Sequence, residues 1–161
     1  MDNSDWRPWR SDWEEVKSAP GCVLCRIAGV EEDDHGVRVM VGEYADGYLL
    51  RNGSIPGYCI AVWKLGHVTE PAEIEGDRQI GGYFAEVTRL GRAVARVFRP
   101  VKMNYSTLGN RVPHLHTHVV PRPDPDPAPN APLPWHYLTE GRHPDADIAV
   151  GAERLRVELG Q

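Results

Sequence analysis

Three histidines at alternate positions are the residues of this chain with the clearest capacity for chemistry. They are His114, His116 and His118. Because successive side chains of a strand point to opposite faces, a strand here directs all three imidazoles to one face, about 7 Å apart. Three interpretations stand side by side: a solvated strand face, a metal site, and nucleophilic catalysis. A neutral imidazole nitrogen serves the last two equally well.

A second candidate site is the Cys-x-x-Cys pair formed by Cys22 and Cys25. This spacing is typical of a redox pair, of half a zinc site, or of two buried thiols. The chain has three cysteines, so zinc needs further ligands, for which His67 and His114 are candidates. An odd cysteine number with this spacing indicates a reducing compartment, and we expect a cytoplasmic protein.

Composition excludes several classes of protein. A chain of 161 residues fits one domain. The net charge of -5 disfavours a protein that coats nucleic acid, yet allows a small pocket for a phosphorylated metabolite. The longest apolar run, 58–63, is far shorter than a membrane span, and the polar residues 1–10 are unlike a secretory signal. Neither a membrane nor a nucleic acid is an expected partner.

The elements that must position these residues follow from periodicity and turn signals. A short helix is predicted over 12–18 and a main helix over 77–98, where apolar residues recur at steps of three and four. A last helix is predicted over 147–159. Strands are predicted over 37–41, 48–51, 58–63, 102–107 and 115–120, with Asp46-Gly47 as a hairpin turn.

This order of elements predicts an α+β fold. It comprises an antiparallel sheet of about five strands, one main helix and a C-terminal helix. Residues 121–134 hold half of the chain's 14 prolines, which favours an extended, polyproline-like segment. The chain therefore divides into an N-terminal arm at 1–20, a domain at 21–122, and a proline-rich segment with the last helix at 123–161.

The segment Pro113–Arg122 resembles the signature of the histidine triad (HIT) family, His-x-His-x-His followed by two apolar residues. Cys22–Ile27 resembles the family's common N-terminal Cys-x-x-Cys. Pro56-Gly57 before an apolar strand, and Lys64–Val68, resemble its middle region. The resemblance spans about residues 22–122, and it implies a HIT-like fold and a homodimer.

The family's members are nucleotide hydrolases and transferases that act at an α-phosphate, among them diadenosine polyphosphate hydrolases. The resemblance implies that His116 is the nucleophile and forms a nucleotidyl-histidine that water hydrolyses. His118 would contact a phosphate oxygen or the leaving group. Asn110 stands where many members have a glutamine that donates to the phosphate. Dinucleoside polyphosphates and nucleoside phosphoramidates are the implied substrates, with no catalytic cofactor required.

The resemblance also implies a set of nucleotide-binding residues. Asn52 would bind the ribose hydroxyls, while Asn104 and Ser106 would contact phosphate. Tyr58 stands where many members carry a fourth histidine. In the tail outside the matched region, Trp135 could fold back over the pocket as a base-stacking surface.

A structural zinc ion is a further implication of the resemblance. In zinc-bearing members the first triad histidine joins the two cysteines and a histidine at the position of His67. Cys22, Cys25, His67 and His114 would then form a tetrahedral set, and four protein ligands leave no open position for catalysis.

Two alternatives remain from the sequence alone. In the first, His114, His116 and His118 jointly bind a catalytic metal. In the second, the chain is a non-catalytic nucleotide-binding or zinc-stabilised interaction module, an idea that the tyrosine at position 58 supports.

Overall fold

Residues 6–18 and 20–161 are described by the computed structural model, which forms one five-stranded antiparallel sheet with the strand order β1-β2-β3-β5-β4. This architecture confirms the predicted α+β fold. The elements are α1 (Trp13–Ser18), α2 (Val23–Ile27), β1 (Gly36–Val41), β2 (Ala45–Leu50), β3 (Cys59–Trp63), a 3-10 turn (Pro71–Glu73), α3 (Asp77–Phe98), β4 (Lys102–Thr107), β5 (His116–Arg122), α4 (His136–Thr139) and α5 (Asp145–Leu159).

Helices α3 and α5 cover one face of the sheet and bury the main core. The predicted apolar stripe of α3 places Val87, Leu90 and Val94 against the strands, whereas Phe84 of the same stripe is exposed. In the described part of the chain, none of the helices combines the length and the apolar character needed to cross a lipid bilayer.

Two glycines of α3 permit close packing that a side chain would block. Gly82 lies against the ring of Tyr44, and Gly91 against Tyr105; a Cβ at either position would overlap the tyrosine. Glycine lowers the intrinsic stability of a helix by about 1 kcal/mol relative to alanine. Tertiary contacts with the two rings therefore hold the helix where propensity alone does not.

The turn between β1 and β2 corrects one prediction. Asp46 and Gly47 lie inside β2, and the chain reverses before Ala45 instead. Gly47 is used for packing, because a Cβ there would press on Leu90 of α3. Asp46 is buried and accepts from Lys64 at 3.0 Å, so its carboxylate is satisfied within the strand.

Glu86 of α3 holds the true turn in place. Its carboxylate accepts backbone N–H groups of Glu43, Tyr44 and Ala45 at 2.6, 3.0 and 2.7 Å. Three charge-assisted hydrogen bonds substitute for the missing turn signal in the sequence.

Of the eight predicted elements, the main helix and the strand over 102–107 have the predicted bounds, and the other six differ by one to three residues. The strand predicted over 115–120 is β5, which begins at His116 and continues to Arg122. The last helix begins at Asp145, two residues before the predicted start. The first helix begins at Trp13, directly after Asp12, whose carboxylate pairs with Arg10 at 2.5 Å.

The proline-rich segment is not simply extended, which corrects a further prediction. Residues 121 and 122 belong to β5, and the following residues fold back around the buried Arg122 guanidinium. Arg122 donates to both carboxylate oxygens of Asp126 at 2.7 Å and to Asn104 at 2.7 Å. It also donates to two backbone carbonyls of the same segment at 2.6 and 3.1 Å.

A second anchor joins the later part of this tail to the end of β2. The carbonyl of Arg51 accepts the N–H of His143 at 2.8 Å, and the N–H of Ser54 donates to the carbonyl of Tyr137 at 2.8 Å. We refer to residues 123–145 as the C-terminal strap, because they are fixed at both ends and run along the sheet face opposite α3. The division of the chain at residues 20 and 122 stays a prediction.

Candidate functional site

His116, the first residue of β5, has one ring nitrogen committed and one free. Its Nδ1–H donates to the backbone carbonyl of His114 at 2.6 Å. A neutral imidazole carries one proton, so this hydrogen bond leaves Nε2 with an available lone pair. Burial lowers the pKa of His116, although the hydrogen bond to the His114 carbonyl opposes this shift. At neutral pH, Nε2 of His116 is therefore unprotonated and available to attack an electrophile.

In His118 the ring nitrogens have the opposite roles: Nδ1 accepts a hydrogen bond from the Tyr58 hydroxyl, and Nε2 carries the proton. The Tyr58 hydroxyl lies 2.6 Å from Nδ1 of His118, and burial raises the pKa of Tyr58 above its ordinary value. The phenol stays protonated, and we assign it as the donor, which leaves the imidazole proton on Nε2. Burial, with a smaller contribution from His116, lowers the pKa of His118 to about 4, so the ring is neutral.

The two imidazoles form an acceptor–donor pair on one face of the sheet. The ring centroids of His116 and His118 are 4.8 Å apart with an interplanar angle of 75°. Their strand neighbours on this face are Val62 and Ile60 of β3. This arrangement places a nitrogen lone pair beside a neutral N–H donor, which suits attack on an electrophile whose leaving atom gains negative charge.

A cavity of about 830 Å³ opens over this pair. It is lined by the three residues predicted for catalysis, His116, His118 and Asn110, and by two of those predicted for nucleotide binding, Asn52 and Tyr58. Residues between 52 and 118 in the sequence thus meet around one space, which is large enough for a nucleotide-sized ligand.

The two remaining predicted binding residues, Asn104 and Ser106, lie on β4 and do not line the cavity. Ser106 pairs with His118 in the strand register, on the edge away from β3. The side-chain oxygen of Asn104 accepts from Arg122 at 2.7 Å. Asn104 therefore supports the C-terminal strap in this structure.

The apolar wall of the cavity includes a helix that the sequence analysis missed. Val23, Leu24 and Ile27 of α2 line the cavity. Their positions i, i+1 and i+4 follow a helical face, but five residues are too short a window for that pattern to be decisive. The wall continues through Leu50 and Ile60 of the sheet.

The C-terminal strap supplies the opposite wall. Trp135 lines the cavity, and its ring stands edge-on to His118 with centroids 5.3 Å apart at 89°. Leu138 is buried in the cluster on this sheet face. The tail thus lies over the pocket, as the sequence analysis considered for Trp135, and its indole remains 40% exposed for contact with a ligand.

A second cluster lies outside the cavity and has the composition of a metal site. One ligand atom from each of Cys22, Cys25, His67 and His114 lies within 4.8 Å of the others. The sulfur-to-Nδ1 distances are 3.5 Å for Cys22–His114, 3.3 Å for Cys25–His114 and 3.4 Å for Cys25–His67. Tetrahedral zinc with ordinary bond lengths requires about 3.6 Å between sulfur and nitrogen ligands, so the four residues fit that ion.

The two histidines of this cluster are oriented by backbone carbonyls. Nε2 of His114 donates to the carbonyl of Trp63 at 2.8 Å, and Nε2 of His67 donates to that of Lys17 at 3.0 Å. Both rings therefore present an unprotonated Nδ1 toward the cysteines, the tautomer a metal ligand needs. The second bond also links the cluster to α1.

This arrangement disfavours a metal shared by the three triad histidines. His114 directs Nδ1 to the cysteines and Nε2 to a carbonyl, so neither of its nitrogens is available to His116 or His118. Among the residues that the structure describes, the four-residue cluster is the one group of metal-ligating side chains found. The contacts of His114 therefore favour the four-residue cluster over a metal on the triad.

A family model described as the HIT domain matches residues 45–124, which include the turn before Tyr58 and strands β3 and β5. The chain belongs to the histidine triad superfamily. The HIT domain match begins after the Cys-x-x-Cys pair, so Cys22 and Cys25 lie outside it, whereas His67 and His114 lie within it. No curated protein matches the chain with significance.

Solved HIT proteins share this fold. A histidine triad protein from Marinobacter aquaeolei has 25% identity and a TM-score of 0.69, with 84% of this chain and 93% of that chain covered. A Zn-bound histidine triad family protein from Mycobacterium smegmatis has 23% identity and a TM-score of 0.64, covering 88% and 94%. A hypothetical histidine triad nucleotide-binding protein from Sulfolobus tokodaii has 15% identity and a TM-score of 0.67, covering 86% and 92%.

Proposed function

We propose that this HIT protein hydrolyses nucleotides at the α-phosphate through a covalent nucleotidyl-histidine. The observation that carries the proposal is the hydrogen bond from Nδ1 of His116 to the His114 carbonyl, which leaves Nε2 free in a nucleotide-sized cavity. The nucleotide-binding description of the Sulfolobus tokodaii relative supports the same ligand class. Dinucleoside polyphosphates and nucleoside phosphoramidates are the proposed substrates.

In the first step, Nε2 of His116 attacks the α-phosphorus and the bond to the leaving group breaks. The Nε2–H of His118 keeps its proton and donates a hydrogen bond to the departing atom: a polyphosphate departs as its oxyanion, and the nitrogen of a phosphoramidate departs with a proton taken from solvent. The Asn110 amide donates to a phosphate oxygen. The positive charge that develops on the His116 ring is stabilised by the His114 carbonyl at 2.6 Å.

In the second step, water attacks the phosphorus of the nucleotidyl-histidine and the nitrogen–phosphorus bond breaks. The proton that this water loses passes to solvent. A nucleoside monophosphate is released, and both histidines are then in their starting protonation states. Asn52 binds the ribose at the far end of the cavity, and the indole of Trp135 and the α2 wall offer apolar surface to the base.

Zinc is the proposed resident ion of the four-residue cluster, bound by Cys22, Cys25, His67 and His114. The Zn-bound relative from Mycobacterium smegmatis supports this choice of metal. With four protein ligands the ion supplies no catalytic position; it ties α2 to the chain just ahead of β5. The homodimer and the cytoplasmic location stay predictions.

The second candidate is a nucleotide-binding module without turnover. Tyr58 favours it, because a phenol stands where many family members place a fourth histidine. The two candidates differ in product formation and share nucleotide affinity.

The function is tested by incubation with a dinucleoside tetraphosphate and an adenosine phosphoramidate in water enriched in oxygen-18. We expect AMP from both substrates, with the heavy oxygen in AMP, because water attacks the α-phosphorus. Label in the other product would place the cleavage at a different phosphorus. Nucleotide binding without any AMP would establish the binding module instead.

Replacement of Tyr58 by phenylalanine is expected to lower kcat about tenfold at neutral pH. Without the phenol, Nδ1 of His118 has no donor, and the imidazole proton distributes between both nitrogens. Tyr83→Phe is the matched control: its hydroxyl is also buried, 2.8 Å from Thr117, but on the other face of the sheet. Equal kcat values for the two variants would contradict the role given to Tyr58.

A further inference from the structure

Arg111 is an exposed arginine that lines the same cavity as His116 and His118. Among the described residues that line the cavity, it is the one lysine or arginine. It follows Asn110 directly, in the loop between β4 and β5 that also contributes Leu108 to the lining. Gly109 in this loop has a φ of +74°, a left-handed conformation that glycine adopts without strain.

The Arg111 guanidinium makes no hydrogen bond or ion pair within the part of the chain that the structure describes, residues 6–18 and 20–161. The two buried arginines are paired with carboxylates, Arg122 with Asp126 and Arg51 with Glu32. Arg111 is exposed, and its guanidinium is available to a ligand in the cavity that it lines.

The one carboxylate that lines the cavity does not neutralise this cation. Asp33 accepts the backbone N–H groups of His35 and Gly36 at 2.8 and 3.0 Å and lies 3.3 Å from the His35 ring. Its hydrogen-bonding capacity is used within its own loop. The cavity therefore retains an unpaired positive charge near the nucleophile.

An unpaired guanidinium at this position suits an anionic group of the ligand that has no hydrogen-bond donor from the other site residues. In the proposed function Asn110 donates to the α-phosphate and His118 to the atom that departs from it, so the further phosphates of a leaving group have no donor. A chain with net charge -5 repels a polyphosphate over its surface as a whole, so attraction must be local. A guanidinium binds phosphate through two parallel N–H groups, a geometry that a neutral amine leaving group cannot use.

We propose that Arg111 binds the phosphates of the leaving group and so selects dinucleoside polyphosphates over phosphoramidates with uncharged amine leaving groups. This inference rests on the proposed function, which it deepens by naming the substrate class. A departing nucleoside polyphosphate carries negative charge that the Arg111 guanidinium can bind, whereas an uncharged amine does not.

Arg111→Gln tests the inference, with Arg92→Gln as the matched control. Arg92 is exposed on α3, so its replacement changes the net charge equally on the other side of the sheet. For Arg111→Gln we expect kcat/KM to fall about tenfold or more with a diadenosine tetraphosphate and less than twofold with an adenosine phosphoramidate. Arg92→Gln should change neither value by more than twofold.

Two outcomes would overturn the inference. Equal losses on both substrates would assign Arg111 to the α-phosphate, and no loss on either would make it an ordinary surface arginine.

Calorimetric titration with AMP and with ATP separates this inference from the proposed function. If the wild-type protein cleaves nothing but binds ATP more tightly than AMP, and Arg111→Gln loses that preference, the hydrolase proposal fails while the role of Arg111 stands. If the wild-type protein has no preference for ATP, or binds neither nucleotide, the inference fails as well.

Discussion

Replacement of His116 by alanine is expected to lower kcat at least about 1000-fold, because the variant lacks the nitrogen that forms the covalent intermediate. Its affinity for AMP should change by only a few fold, since Asn110, His118 and the apolar walls remain. Zinc content should stay unchanged, because the ring of His116 faces the cavity and contributes nothing to the metal cluster.

His136→Ala is the matched control for this variant. His136 is exposed on α4 and does not line the cavity. Because His116 is buried, the unfolding temperature of both variants is measured beside kcat. A folded His116→Ala protein that keeps more than a tenth of the wild-type kcat would contradict nucleophilic catalysis by this residue.

Replacement of Cys25 by alanine is expected to abolish zinc binding and to lower the Tm by more than about 10 °C. Structural zinc contributes many kcal/mol of folding free energy, and each kcal/mol corresponds to roughly 2–4 °C in a domain of this size. Cys59→Ala is the control, because Cys59 is a buried thiol of β3 outside the cluster.

Chelation supplies an independent readout of the same ion. A strong chelator should lower the Tm of the wild-type and Cys59→Ala proteins and leave that of Cys25→Ala unchanged. Zinc bound at one ion per chain in Cys25→Ala, or a wild-type Tm that no chelator alters, would contradict the assignment of the cluster.

The proposed zinc cluster and the proposed nucleophile are linked through one residue, His114. His114 directs its ring to the cysteines, while its carbonyl accepts the proton of His116 Nδ1. A change in the position of His114 therefore alters the orientation of the nucleophile. We expect zinc-free protein to lose about tenfold in kcat, the range that supporting groups around a metal site commonly contribute.

The sequence predicted correctly those features in which the spacing of nearby residues determines the face to which their side chains point. Alternation within β5 placed His116 and His118 on one face, and the main helix was predicted over the residues it occupies. The remaining histidine, His114, lies outside the strand, and its ring faces the cysteines. The spacing of the three histidines does not reveal that His114 has different partners from the other two.

Long-range partners account for the features that were not predicted. The Asp46-Gly47 dipeptide has the composition of a turn, yet Lys64 pairs with Asp46 and Leu90 packs on Gly47 inside a strand. The proline-rich segment wraps around Arg122, whose partners include Asn104. Such contacts override local propensity because burial and charge pairing outweigh preferences of about 1 kcal/mol.

The stereochemical course at phosphorus tests the covalent mechanism most directly. A dinucleoside polyphosphate with a chiral α-phosphorothioate is hydrolysed in oxygen-labelled water, and the configuration of the released thiophosphate is determined. Each in-line displacement inverts phosphorus, so attack by His116 followed by attack by water predicts overall retention. Inversion would show that water attacks directly and would contradict a nucleotidyl-histidine intermediate.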